Sequence, residues 1–240
     1  MTLMFCATRN LYDKIPATLE SLFQTNKDVE RVYLFIEDDE FPFDLDPRVE
    51  VVNLNRMTQY LLPSSPNFNT VFTKMSFVRC YVSKYLLEDK ILYADVDVLF
   101  LRDISDLWNI DFEDNLVCAV AETPERIRCV PHITNEFASP YFNSGVTLLN
   151  LRVLREEARD DEIIKIINSR KLPYPDQDAL NIACKDRVKY IPNKYNNCRF
   201  TGGESGCGSI IHTTPFKAWD PNCVYNKLWR SYDKWTKKKI

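Results

Sequence analysis

The residues best suited to do chemistry are Asp95 and Asp97, two carboxylates set into a run otherwise made of Ile91, Leu92, Tyr93, Val98, Leu99, Phe100 and Leu101. If residues 90–101 form one extended strand, positions i and i+2 share a face. Two like charges on one face among core-forming side chains are costly to bury unless a cation lies between them. A hard divalent metal accepts both, and in α/β sheets ligands collect at the carboxyl ends of strands. The triplet recurs at Asp44-Leu45-Asp46, beside Pro47, and at Asp176-Gln177-Asp178. Only the copy at 95–97 closes a strong strand. The chain has two histidines, His132 and His212, so a zinc site with two histidines or a Ser-His-Asp arrangement must use these. A histidine that follows Ile210-Ile211 is more often a satisfied structural residue than a ligand.

The elements that must position these groups alternate between strand and helix. Residues 3–7, 31–36, 49–54, 90–101, 115–121, 141–151 and 210–211 read as strands. Helical spacing marks residues 12–25, 72–87 (Met75, Val78, Val82 and Leu86 on one face), 153–169 and 175–184, while 57–69 and 192–209 read as irregular. The pattern predicts an α/β fold with a mostly parallel twisted sheet and helices on both faces. With no repeat and no linker, residues 1–240 read as one domain. Residues 1–110 and 111–220 read as its two halves, and 221–240 as a tail.

Composition narrows the chemistry. The 240 residues hold only 5 glycines, against an average near 7%. Gly145 stands alone, and Gly202, Gly203, Gly206 and Gly208 cluster. No dinucleotide-type or P-loop glycine pattern is present, which excludes those phosphate cradles. A net charge of −3 argues against a domain built to grip nucleic acid. The 8 cysteines include four within apolar runs and no C-x-x-C, as expected of free thiols in a reducing compartment. With no leader pattern and no apolar run long enough to span a bilayer, the expected location is cytoplasmic.

Taken together, LYADVDVLFLRDISDLW (92–108), FNSGVTLLNL (142–151), PDQDALN (175–181) and HTTPFKAW (212–219) resemble glycosyltransferase family 8. All four blocks stand in the family's order. The resemblance implies a GT-A fold and retaining sugar transfer from a nucleotide sugar with the help of Mn²⁺, Mg²⁺ being the alternative. It implies that Asp95 and Asp97, with Val96 between them, form the metal motif and that His212 is the third protein ligand. Asn143, Ser144 and Gly145 match the strand beside the transferred sugar, where Gly145 on its own reads as close backbone approach. Asp176 is expected to bond sugar hydroxyls, with Gln177 near the anomeric carbon, although an Asp at a helix start also serves as a cap. Arg79 matches a basic residue that reaches the donor, a surface arginine being the plainer reading, and Glu122 stands where many members place an Asp. Lys217 would offer its ammonium to the diphosphate. Ala7, Thr8, Asn10 and Tyr12 would meet uridine, with Tyr12 stacking on the base. Two departures stand out: Arg9 replaces an expected carboxylate, and the block from His212 to Trp219 is one residue short, lacking its glycine and carrying Ala218 for proline.

The reaction so implied moves a hexose, glucose or galactose, from a UDP-sugar to a hydroxyl of a carbohydrate, lipid-linked or protein acceptor. A front-face route is favoured, and Asp176, Gln177 and Lys217 are the catalytic candidates. A sugar nucleotidyltransferase and a binding module without turnover remain the alternatives. Residues 228–240 mix aromatics with lysines and suit either a solvated helix end or weak contact with an anionic membrane. The glycines before His212 suggest a loop, 200–209, that closes over bound donor.

Overall fold

A computed structural model describes residues 1–68, 70–203 and 207–234, with the backbone alone at 56–58. Its strands are β1 (Thr2–Cys6), β2 (Arg31–Ile36), β3 (Val49–Asn53), β4 (Ile91–Ala94), β5 (Val98–Phe100), β6 (Val117–Ala121), β7 (Phe142–Leu149), β8 (Val188–Tyr190) and β9 (Ile210–His212). Seven of them form one sheet in the order β3-β2-β1-β4-β7-β6-β8, and β5 pairs with β9 in a second. In the large sheet β7 alone is reversed: it runs antiparallel to β4 and β6, while the other pairings are parallel.

Period-2 alternation divides the strands between two cores. Met4, Cys6, Tyr33, Phe35, Ile91 and Tyr93 enter one cluster, with Ile163, Ile167 and Leu180 from helices Arg159–Ser169 and Pro175–Ala183. Leu3, Phe5, Val32, Leu34, Leu92 and Ala94 enter the other, with Ile15, Leu19 and Leu22 from helix Ile15–Thr25. Both faces of the sheet are therefore covered, as near-continuous apolar strands require. The mostly parallel, two-faced α/β fold expected from the sequence is the one observed.

Several segments depart from the expected elements. The run expected as a single strand at 90–101 breaks into β4 and β5, with a turn at residues 95–97. The helix expected at 72–87 is three short pieces: Lys74–Phe77, Val78–Cys80 and Val82–Lys84. Here the Arg79 side chain donates to the Ser76 carbonyl (3.0 Å) that a continuing α-helix would use, and poor helix formers follow. Met75, Val78, Val82 and Leu86 are nonetheless buried. The helix expected at 153–169 divides into Leu151–Glu156 and Arg159–Ser169 at Ala158, which has a positive φ of 51°. Asp160, Asp161 and Glu162 then occupy the second helix's first turn, where carboxylates favour a new start. The irregular segment expected at 57–69 begins instead with the end of a 3-10 helix, Leu54–Tyr60.

All eight thiols are unpaired. No helix among the described residues is long and apolar enough to cross a membrane. In the C-terminal segment, helix Asn226–Tyr232 buries Trp229 against Ala17, Leu99 and Ala218. The lysine-rich end at 235–240 lies outside the described residues.

Candidate functional site

The topology gathers the candidate residues at one sheet edge. Asp95 follows the carboxyl end of β4, and Glu122 follows that of β6. Because β7 is reversed and pairs Val146 with Ala94, its first residues, Asn143, Ser144 and Gly145, reach the same edge. Helix Pro175–Ala183 brings Asp176 and Gln177, and β9 ends there in His212. The resulting cleft holds about 480 Å³.

At its floor, ligating atoms of Asp95, Asp97 and His212 lie within 4.8 Å of one another. His212 Nε2 is 3.7 Å from Asp95 Oδ2 and 3.5 Å from Asp97 Oδ1. The carboxylates converge through the turn rather than through the shared strand face expected from their spacing. Thr18 Oγ1 donates to the Val96 carbonyl (2.8 Å), and the Thr213 backbone N–H and hydroxyl both donate to that of Asp97 (2.9 and 2.8 Å). Gly145 makes the close approach possible. A Cβ built there would stand 2.3 Å from His212 Cε1 and 2.9 Å from Asp95 Oδ2. Two carboxylates and one imidazole around a space that a methyl group would fill fit a Mn²⁺ or Mg²⁺ ion whose remaining positions are taken by oxygen ligands.

Protein cations compensate the carboxylates. Lys217, partly exposed, donates to Asp97 Oδ2. Burial alone would raise the Asp97 pKa, but the facing His212 and Lys217 outweigh it and hold the group well below the ordinary carboxylate range. Burial alone would lower that of His212, but the charge and hydrogen bond of Asp97, with Cys198 beside the ring, push it up to about 10. His212 Nδ1 lies 2.8 Å from Asn196 Oδ1.

Arg79 is buried, not a surface arginine. It donates to Asp95 Oδ1 (2.7 Å) and the Ser144 carbonyl (2.7 Å), pairs with Asp176 Oδ2 (3.3 Å) and lies 3.9 Å over the Tyr93 ring. Burial raises the Asp176 pKa, moderated by Arg79. Replacing Arg79 with Met would leave two carboxylates short of their buried cation. Such a loss costs about 3–5 kcal/mol, read as a lower urea midpoint at unchanged slope.

On the wall built by the start of β7 and helix Pro175–Ala183, Gln177 Oε1 accepts from the Ser144 N–H (2.9 Å), and its amide donates to Glu122 Oε1 (3.2 Å) and Tyr141 Oη (3.1 Å). Asn143 donates to the same Glu122 oxygen (3.0 Å). Burial raises the Glu122 pKa, offset in part by those amides and Arg126. Asp178 does not face the cleft: it is fully buried in the helix's first turn, where a carboxylate favours the dipole, and accepts from Tyr141 Oη (2.6 Å) and the Tyr174 N–H (2.9 Å).

The uridine candidates divide. Thr8 and Asn10 line the cleft, whereas Ala7 and Tyr12 are not among its lining residues. Ala7 is buried and donates its N–H to the Phe35 carbonyl. Tyr12 turns its hydroxyl to Asp38 (2.9 Å) and packs its buried ring on Phe41. Arg9 pairs with the same Asp38, so the acidic segment Glu37-Asp38-Asp39-Glu40 after β2 takes up both. Of the glycines before His212, a Cβ at Gly203 or Gly208 would meet Asn197 at 1.9 or 2.7 Å. The tip of the expected closing loop, 204–206, lies outside the described residues.

Asn196 escaped the sequence reading. Its only signal is an amide within an Asn-rich stretch, and its fully buried position between Asn143 and His212 depends on the return of the chain to β9.

The model of the family "Glycosyl transferase family 8" matches residues 1–221. Among curated proteins, general stress protein A of Bacillus subtilis strain 168 is 27% identical over 82% of this chain and 73% of its own length. The lipopolysaccharide 1,2-glucosyltransferase of Escherichia coli strain K12 is 25% identical over 78% of this chain and 59% of its own. The chain spans between a quarter and about three fifths of the first curated relatives it matches. Among solved structures, the galactosyltransferase LgtC, crystallised with donor and acceptor sugar analogues, covers 100% of this chain over 98% of its own, with a TM-score of 0.75 at 20% identity, a likeness of fold. The matched span takes in all four sequence blocks and every residue lining the cleft, and the chain belongs to glycosyl transferase family 8.

Proposed function

We propose that this protein moves a hexose, glucose or galactose, from a UDP-sugar to an acceptor hydroxyl with retention at the anomeric carbon, in a Mn²⁺-dependent reaction. The observation that carries this reading is the convergence of Asp95, Asp97 and His212 on the space left by Gly145, at the floor of a cleft. Residues 1–110 supply its nucleotide side and 111–220 its sugar side, within one domain.

The difficult step breaks the anomeric C–O bond while negative charge builds on the diphosphate. Asp95, Asp97 and His212 would hold the Mn²⁺, which when bound would supply Lewis-acid stabilisation of that charge. Lys217 adds an ammonium on the partly exposed side of Asp97, where a phosphate can exchange with the carboxylate as its partner. On the sugar-side wall, Asp176 is held by Arg79, and Glu122 by Asn143 and Gln177. They present fixed acceptors suited to sugar hydroxyls, and neither is a free nucleophile. That arrangement favours the front-face route, in which the departing phosphate oxygen accepts the proton of the attacking hydroxyl and no protein base is needed. The acceptor class is a carbohydrate, free or carried on a lipid or protein.

The test is UDP release across a panel of nucleotide sugars, with Mn²⁺ and with EDTA. Release from UDP-glucose or UDP-galactose that EDTA abolishes is the expected result. Pyrophosphate formed from UTP and a sugar phosphate would favour the nucleotidyltransferase instead. Tight UDP binding with no turnover on any donor would favour the binding module.

A further inference from the structure

We infer that Asn196 is a positioning residue that sets the orientation and proton placement of His212: its Oδ1 takes the Nδ1–H, so that Nε2 is the nitrogen left to face Asp95 and Asp97. The inference rests on the metal-dependent reading above only for its consequence in cation binding.

A hydrogen-bond chain of fixed polarity carries it. Amide oxygens and nitrogens, and the two imidazole nitrogens, exchange places without a change of shape, so one bond alone does not say which atom is which. Here the chain starts from a backbone N–H, which can only donate. Gly145 N–H lies 3.1 Å from one side-chain atom of Asn143, which must therefore be its oxygen. The other Asn143 atom, the nitrogen, then faces Glu122 at 3.0 Å, as a carboxylate requires. The Asn143 oxygen also receives Asn196 at 2.9 Å, so the Asn196 atom there is its nitrogen. The remaining Asn196 atom is an oxygen, 2.8 Å from His212 Nδ1, and an oxygen with no proton requires one on that nitrogen. Asn196 is fully buried, so no water competes for the bond.

The Gly145 N–H thus dictates the proton on His212, while the missing Gly145 Cβ makes room for the same ring. With Nδ1 held by Asn196, a cation bound at the carboxylates takes the place of the proton on Nε2, the nitrogen already aimed at them. An imidazole bonded at its far nitrogen ligates in a fixed direction, and removal of such a partner weakens metal binding by about 10- to 100-fold.

The experiment uses the full chain and two readouts. The first, ¹⁵N-resolved NMR of the imidazoles without metal, reads the bond itself. With two histidines in the chain, H132Q identifies the signals of His212. A slowly exchanging His212 Nδ1–H is expected in the wild type and in N196D, which keeps an acceptor oxygen, and its loss is expected in N196A. The second, calorimetric Mn²⁺ titration, is expected to show about 10- to 100-fold weaker binding in N196A and partial recovery in N196D. A His212 Nδ1 without a protected proton in the wild type overturns the inference, and needs no variant to fold. So does an N196A whose His212 Nδ1–H still exchanges slowly, or an N196D no better than N196A in either readout. If the wild type shows the protected proton but binds no Mn²⁺, positioning by Asn196 stands and the metal-dependent function falls.

Discussion

Replacement of Asp97 by Ala is expected to lower Mn²⁺-dependent UDP release by at least about a thousandfold. Charge stabilisation by a bound metal is worth several kcal/mol in a transition state, and each 1.36 kcal/mol is tenfold in rate. Asp97 supplies one of only two carboxylates in the cluster and also holds Lys217, so its loss removes one ligand and frees one cation. The fold is expected to survive, because the turn is clamped through backbone rather than through this side chain: Thr213 takes the Asp97 carbonyl and Thr18 that of Val96. D97N keeps the shape and loses the charge, and is expected to fall nearly as far. The measurement is UDP release across Mn²⁺ concentration, with circular dichroism as the check on folding. Turnover within a few fold of the wild type in both variants would remove the metal assignment.

The second large effect is expected from one added methyl group. Gly145 has an ordinary strand backbone, so Gly145→Ala is not opposed by φ and only space is at issue. The new Cβ would lie 2.3 Å from His212 Cε1 and 2.8 Å from Nδ1, separations that force the ring away by about the 1 Å that ordinary contact needs. Misplacement on that scale costs about 100-fold in rate. Forcing a methyl into packed surroundings costs a further ~1–3 kcal/mol of stability. G145A is therefore expected to bind Mn²⁺ weakly, to turn over about 100-fold more slowly, and to unfold at lower urea. A variant that loses stability but keeps wild-type Mn²⁺ affinity would show that the ring moves without consequence for the cluster.

Much of this site was legible in the residues themselves. Asp95, Asp97 and His212 were assigned from a charged triplet in an apolar run and from block order, and their ligating atoms do meet. The geometry proposed for them was wrong in an instructive way. Period 2 holds only while the backbone stays extended, and the strand stops at Ala94, where β5 leaves to pair with β9. Arg79 was legible as a cation on the right segment but not as buried, because its partners, Ser144, Asp95 and Asp176, come from three other elements. The partner of Tyr12 was hidden for the same reason: its hydroxyl bonds Asp38, which lies 26 residues along the chain.

What the sequence determined by itself is the alternation of apolar strands and amphipathic helices, the two-faced sheet that follows, and the identity of the charged groups at one edge. Those depend on periodicity and residue type, which are local. Only the tertiary structure decided that β7 runs backward, carrying Asn143, Ser144 and Gly145 to the metal candidates, and that Asn196 stands behind His212. Strand direction and the partner of a buried polar group are settled by long-range pairing. Every buried donor and acceptor must find its counterpart wherever the fold delivers one.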